Sequence, residues 1–262
     1  MNYLDLPIRV ERERSYGLTS VSDFGIPVQE LRHILEDYHY FIDVAKLGVG
    51  TAYVTPNIEE KVNLYKSYGV KVYFGGTLFE KCYLQKRLKD YINYLKKVGI
   101  EWIEISNGTL DISLSERVRL VKELKDDFSL LGEVGLKDQA KDLSLHDWVE
   151  EMTTLLDSGC QYVITEGRDS GTAGIYNPKG EVKQSLVKEL SNAIDINKII
   201  FEAPTHKQQM YFINTFGANV NLGNVRMQDV LLLEAERVGL RSETFFINKK
   251  KSEPNYVNET YA

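Results

Sequence analysis

Cysteine is scarce in this 262-residue sequence: Cys82 and Cys160 are its only two, and they form no CxxC pair. A disulfide framework or a thiolate metal cluster is therefore not expected, and reduced thiols in a cytoplasm fit best. Histidine is equally sparse. His33, His39, His146 and His206 make no HExxH or other metal spacing, and Ser170 has no histidine at a plausible strand end, which sets aside zinc-protease and acyl-transfer chemistry. No stretch approaches the roughly 18 apolar residues of a membrane-spanning helix, and the charged opening from Met1 to Arg14 lacks the apolar core of a secretion signal. Basic charge is in deficit as well: 32 Lys+Arg stand against 38 Asp+Glu, a net charge of −6. That balance argues against a nucleic-acid partner or an anionic membrane surface, both of which require a basic face. With six prolines and no linker rich in Pro, Gly or Ser, one domain is favoured over two. The composition is compatible with a homo-oligomer.

What the sequence does contain is alternation. Eight short apolar runs are each followed by a turn and then a helical pattern, the signature of a parallel sheet. The predicted strands are Leu18–Ser22, Phe41–Leu47, Val70–Phe74, Trp102–Ser106, Ser129–Val134, Tyr162–Glu166, Ile199–Glu202 and Ala218–Leu222. About 33 residues fall to each unit, which predicts an α/β fold: a single TIM-type (β/α)8 barrel of parallel strands over residues 1–247. Capping-box spacing marks helix starts at Ser113–Glu116, Ser144–Asp147 and Thr205–Gln208, and Thr55-Pro56 places proline in a first helical turn. Helical periodicity runs from Glu80 to Val98, with lysines on its solvated face. Residues 248–262 have no apolar period and are expected to form a mobile tail.

In such barrels the reactive groups sit at the C-terminal ends of the strands. Lys46 ends the second strand, Glu104 the fourth, Glu133 the fifth with Lys137 beyond it, Glu166 the sixth with Arg168 beyond it, and Glu202 the seventh. Strand alternation places Trp102 with Glu104, Leu131 with Glu133, Ile164 with Glu166 and Ile200 with Glu202, each pair on one face. Four strand ends thus offer a carboxylate to one small volume. Carboxylates so close raise one another's pKa unless a cation intervenes, and Mg²⁺, an oxygen-seeking ion, is the simplest candidate. The alternative is that the glutamates only form ion pairs with Lys46, Lys137 and Arg168. Glycine-rich turns at Gly48–Gly50, Gly75-Gly76 and Asn221–Asn224 have the form of loops whose backbone N–H groups approach a phosphate. Gly75, Gly76, Asn221, Asn224 and the following Arg226 are the substrate-binding candidates. Dinucleotide and P-loop fingerprints are missing.

At these strand ends the sequence resembles the phosphosulfolactate synthase family, the coenzyme M biosynthesis type also represented in bacteria. The resemblance is carried by Gly17–Thr19, Lys46–Thr51, Gly75–Glu80, Glu104–Gly108, Glu133–Asp138, Glu166–Gly171, Glu202–Pro204, Gln208-Gln209, Asn221–Asn224 and Gly239–Arg241. It implies a TIM-type barrel, Mg²⁺ dependence, and a carbon–sulfur lyase that adds sulfite to phosphoenolpyruvate to give (2R)-phospho-3-sulfolactate. It further implies Lys137 as general acid, Lys46 and Arg168 as holders of phosphate or carboxylate, and Glu104, Glu133, Glu166 and Glu202 as the metal-site candidates. Asn107, Leu136 and Asp169 depart from the family pattern, which commonly has Asp, a second basic residue and Glu there. The family also has plant heat-tolerance relatives, so an altered substrate or a non-catalytic, stress-related barrel is the alternative reading.

Overall fold

The computed structural model describes residues 3–138 and 143–247; the tail expected over residues 248–262 lies outside them. Eight strands alternate with helices: β1 (Thr19–Asp23), β2 (Val44–Leu47), β3 (Lys71–Phe74), β4 (Trp102–Ile105), β5 (Ser129–Val134), β6 (Tyr162–Thr165), β7 (Ile199–Glu202) and β8 (Leu222–Arg226). All pairings are parallel, in the order β3-β2-β1-β8-β7-β6-β5-β4. The end strands β3 and β4 lie side by side, so the sheet curls into a nearly closed TIM-type (β/α)8 barrel. Ten α-helices cover it in the described residues: α1 (Val28–Tyr38), α2 (Thr51–Val54), α3 (Ile58–Ser67), α4 (Gly76–Leu84), α5 (Leu88–Val98), α6 (Leu114–Leu124), α7 (Leu145–Ser158), α8 (Gln184–Ala193), α9 (His206–Phe216) and α10 (Val230–Arg237). None is long and apolar enough to cross a membrane.

The two faces of the strands build two cores. Val21, Leu47, Phe74, Ile105, Val134, Val163 and Phe201 point outward and pack under the helices. Leu18, Val44, Tyr73, Trp102, Leu131, Tyr162, Ile164 and Ile200 point inward and fill the barrel with a separate apolar plug, in which Trp102 stacks on Tyr162 at 5.9 Å. Burying each large apolar side chain contributes about 1.5–3 kcal/mol. The plug has a positional consequence. At the ends of β2, β4, β5 and β7, and one residue past β6, the charged residue Lys46, Glu104, Glu133, Glu202 or Glu166 follows an inward apolar residue by two positions, so all five stand on top of the plug.

The helix starts follow their capping signals. Ser113 accepts the N–H of Glu116, and Ser144 and Thr205 form reciprocal boxes with Asp147 and Gln208. Three expectations shift. The helical pattern from Glu80 to Val98 is two helices, because Lys86 adopts a left-handed φ of 59° and turns the chain between α4 and α5. Pro56 lies in the turn before α3, one residue ahead of the N-cap position at Asn57, whose side chain makes no capping bond. The eighth strand starts at Leu222, where Ala218–Leu222 was expected. The true strand, LGNVR, contains two weak strand formers and a bulge against β1, at which Asn224 takes φ 52°.

That shift relocates Asn221. It sits at the closed N-terminal end, where its Oδ1 accepts the Leu18 N–H at 3.0 Å and its Nδ2 donates to the carbonyls of Asn197 and Ile199 at 3.0 and 2.9 Å. Beside it the Arg237 guanidinium donates to the carbonyls of Ala218, Val220 and Leu18 at 2.8, 2.7 and 3.1 Å. Together they sew β1, β7 and β8 at the barrel floor. Asn221→Ala removes three side-chain bonds to the backbone, two of them buried, and is expected to lower stability by about 2–3 kcal/mol, read as a shift in the urea midpoint. A shift below about 0.5 kcal/mol would contradict the structural role.

Candidate active site

The inward strand ends open into a cleft of about 160 Å³ at the C-terminal face. Lys46, Gly75, Gly76, Glu104, Glu133, Lys137, Glu166, Arg168, Glu202 and Asn224 all line it. Two expected residues do not join them: Asn221 is on the floor, and Arg226, at the end of β8, is exposed outside the cleft.

Two ammonium groups divide the carboxylates. Lys46 Nζ stands 2.8 Å from Glu202, 3.3 Å from Glu104 and 3.5 Å from Glu133. Lys137 Nζ lies 3.6 Å from Glu166, 3.7 Å from Glu133 and 3.9 Å from Glu80. The remaining carboxylate oxygens are met by backbone N–H groups: Gly76 donates to Glu104 at 2.6 Å, Gly167 to Glu202 at 2.8 Å and Arg168 to Glu166 at 2.7 Å. Ser106 Oγ lies 2.6 Å from Glu133 Oε2. Arg168 makes no ion pair with these glutamates among the described residues; its side chain is exposed on the cleft rim.

The Gly75-Gly76 turn is not a free anion cradle. The Gly75 N–H is taken by the carbonyl of Leu47 at 3.0 Å and the Gly76 N–H by Glu104. Their value is space, since a Cβ on Gly76 would overlap Glu104 Oε1 and Ser106 Cβ. Three non-glycine residues on the cleft wall, Val49, Arg168 and Asn224, hold left-handed φ of 54°, 59° and 52°. For β-branched Val49 this is a true outlier, and such strain gathers at functional sites.

Burial dominates the electrostatics. It pushes Glu104 up to about 7, with Glu133 adding to the effect and Lys46 and Lys137 opposing it. Glu166 is raised well above the carboxylate range by burial and by Glu133 and Glu202. Glu133 goes the other way, down to about 2: burial is the largest influence, but Lys137, Lys46 and the Ser106 hydroxyl outweigh it. For Lys46 and Lys137 burial opposes the charge, and the surrounding glutamates overcome it, so both ammoniums are held above their ordinary value. Glu133, Glu166 and Glu202 each bring an oxygen within 4.8 Å of the others, close enough to hold a divalent cation, and Glu166 Oε2 is buried without a hydrogen-bond partner. Glu104, the fourth residue expected in that set, lies outside the cluster, tied to Gly76 and Lys46.

Glu80 is not among the expected site residues, and Ser106, which the strand alternation places with Glu104 at the end of the fourth strand, is assigned no role there. Ser106 follows Glu104 by two positions and shares its face. Glu80 follows Gly76 by four positions and so shares its helix face, a spacing that could have drawn attention to it.

A parallel barrel with this concentration of perturbed titratable groups at its open end defines a TIM-barrel enzyme site. Residues 7–243 match the family model for (2R)-phospho-3-sulfolactate synthase (ComA), and the chain belongs to the phosphosulfolactate synthase family. It is 40% identical over 247 residues to the phosphosulfolactate synthase of Bacillus subtilis (strain 168), covering 93% of this chain and 98% of that one. With the phosphosulfolactate synthase of Methanocaldococcus jannaschii it shares 43% over 235 residues, 87% and 94% of the two chains. The Arabidopsis thaliana protein HEAT-STRESS-ASSOCIATED 32 is similar at 22% over 264 residues, 88% and 90% of the two chains. Among solved structures, thiamine phosphate pyrophosphorylase from Pyrococcus furiosus shares the barrel, with a TM-score of 0.53 and 13% identity over 89% of this chain and 98% of that one.

Gly76→Ala is expected to cost about 1–3 kcal/mol by overpacking, and more than Gly75→Ala, whose Cβ would stand farther from its neighbours, 3.2 Å from Lys46 Cε and 3.3 Å from the Gly48 Cα; thermal melting of the two variants checks the order. A second outcome concerns pH. Because folding raises the Glu104 pKa from 4.5 to about 7, the folded state binds that proton more tightly, and this contribution makes stability fall as pH rises through that window. Glu133, lowered from 4.5 to about 2, adds stability above that range that is lost on acidification. In chelator-treated protein, Glu104→Gln should flatten the fall in melting temperature between pH 5 and 7; an unchanged slope would remove Glu104 as its source.

Proposed function

We propose that the protein is a Mg²⁺-dependent carbon–sulfur lyase that joins sulfite to phosphoenolpyruvate, giving (2R)-phospho-3-sulfolactate. Family membership supports the reaction. The observation that carries it is the placement of three buried carboxylate oxygens and two ammonium groups, Lys46 and Lys137, around one cleft. The donor set fits Mg²⁺: it is all oxygen, three carboxylates lie within reach of one another, and one oxygen is buried without a hydrogen-bond partner. Glu133, Glu166 and Glu202 would hold the ion. When bound, it would stabilise negative charge developing on the substrate carboxylate and weaken the hold of Glu133 and Glu166 on the Lys137 proton.

In the proposed reaction the sulfur lone pair of sulfite forms a bond to the terminal methylene of phosphoenolpyruvate. The C=C electron pair moves toward C2 and the carboxylate, giving an aci-anion, and the phosphate ester stays intact. Lys137, kept as an ammonium by its glutamate neighbours, delivers a proton to C2. It is 24% exposed, enough to recover a proton from solvent. Arg168 and Asn224 on the rim offer a guanidinium and an amide to the phosphate, and Arg168 can meet it in a bidentate fashion. Lys46, at the bottom of the cleft, supplies positive charge to the substrate carboxylate.

Purified protein incubated with phosphoenolpyruvate, sulfite and Mg²⁺ should form phosphosulfolactate detectable by mass spectrometry, and chelation should stop it. Absence of the product at every Mg²⁺ concentration tried would overturn the reading. Lys137→Ala should reduce kcat by at least about 100-fold, the usual scale for loss of a general acid; full turnover in this variant would remove the acid assignment.

A further inference from the structure

Glu80 is a charged residue with 2% exposure that does not line the cleft. It extends from α4 to the loop after β4. Its Oε2 accepts the backbone N–H groups of Thr109 at 2.8 Å and Leu110 at 2.5 Å, and its Oε1 lies 2.8 Å from Ser106 Oγ. Charge-assisted bonds of this kind are about twice as strong as neutral ones, so the loop is held firmly to the helix. On its far side Glu80 borders a second cavity of about 490 Å³, walled by Tyr53, Leu78 and Leu84. It is therefore part of a partition between that cavity and the cleft.

The loop that Glu80 holds is the wall against which Lys137 lies. The Gly108 carbonyl accepts the Lys137 N–H at 3.1 Å, and a Cβ at Gly108 would stand 3.0 Å from both Cε and Nζ of Lys137. Glu80 Oε1 is itself 3.9 Å from that ammonium. A lysine side chain has four rotatable bonds, so its placement depends on such walls.

We propose that Glu80 is a positioning residue for Lys137: through the loop from Ser106 to Leu110 it fixes where the ammonium stands, without contacting substrate. The inference rests on Lys137 being the proton donor of the proposed reaction. Removing the Glu80 carboxylate deprives two backbone amides of their acceptor, and the loop must move to recover one. Glu80→Gln keeps an oxygen for those amides and offers an N–H to Ser106 Oγ.

The test pairs steady-state kinetics of wild type, Glu80→Ala and Glu80→Gln with acetic anhydride labelling of individual lysines, read by mass spectrometry. Glu80→Ala should lose on the order of 30- to 100-fold in kcat, the scale of an ångström-sized misplacement, with KM for phosphoenolpyruvate within about threefold. Glu80→Gln should recover to within about fivefold of wild type by the same reasoning. Lys137 labelling should rise several-fold in Glu80→Ala while Lys46, paired with Glu104, Glu133 and Glu202, stays unchanged. A kcat near wild type in Glu80→Ala, a loss carried by KM alone, no rescue by glutamine, or unchanged Lys137 labelling overturns the assignment. If wild type makes no phosphosulfolactate, the proposed function fails, and the labelling arm still decides whether Glu80 places Lys137. Should Glu80→Ala not fold, Glu80→Asp, which shortens the reach to the loop, replaces it in both arms.

Discussion

Five carboxyl groups, Glu80, Glu104, Glu133, Glu166 and Glu202, lie buried at one end of the barrel, and each must be met by a donor or a cation because an uncompensated buried charge costs several kcal/mol. Much of the local architecture answers that requirement. Lys46 faces three of the carboxylates and Lys137 three, with Glu133 shared between them. Backbone N–H groups at Gly76, Gly167, Arg168, Thr109 and Leu110 take further oxygens. The two ammoniums do not balance five carboxyls, and Glu104 and Glu166 are raised by burial first and by neighbouring glutamates second.

The other end of the molecule buries a charge of the opposite sign, the Arg237 guanidinium, which burial holds well below its ordinary pKa and whose Nε has no hydrogen-bond partner. The apolar plug separates the charged mouth from the floor, where Asn221 and Arg237 spend their donors on backbone carbonyls of β1, β7 and β8. Three of the non-glycine residues with left-handed backbone stand at the mouth. Val49, Arg168 and Asn224 hold left-handed backbone only because neighbouring strands and loops fix both sides of each turn.

This division explains which features were legible in the sequence. An apolar residue followed two positions later by a charged one, as in Leu131 and Glu133 or Ile200 and Glu202, is a local pattern, and it correctly placed the inward charges on one face. The helix-start signals at Ser113, Ser144 and Thr205 were likewise local. Asn221 misled because its Asn-Leu-Gly-Asn setting has the composition of a phosphate loop, while its depth in the barrel depends on where β8 starts relative to β1. That register is set by a bulge with no sequence signature stronger than Gly223 and Asn224. Glu80 was passed over for a related reason: α4 packs its first turns on the mouth, so a glutamate within a helical run becomes a buried partner of the loop after β4.

The charge constraint also bears on the proposed chemistry. The carboxylates that keep Lys137 protonated also oppose the release of its proton, and a general acid works best when its pKa lies near the operating pH. Two anionic substrates entering the cleft would tighten that hold further. Proton delivery to C2 therefore requires positive charge to arrive with the substrates or negative charge to be withdrawn from Glu133 and Glu166. In the proposed reading, a divalent cation held by Glu133, Glu166 and Glu202 would do both. The same geometry that makes the mouth costly to fold is thus what would let Lys137 give up its proton only when the site is loaded.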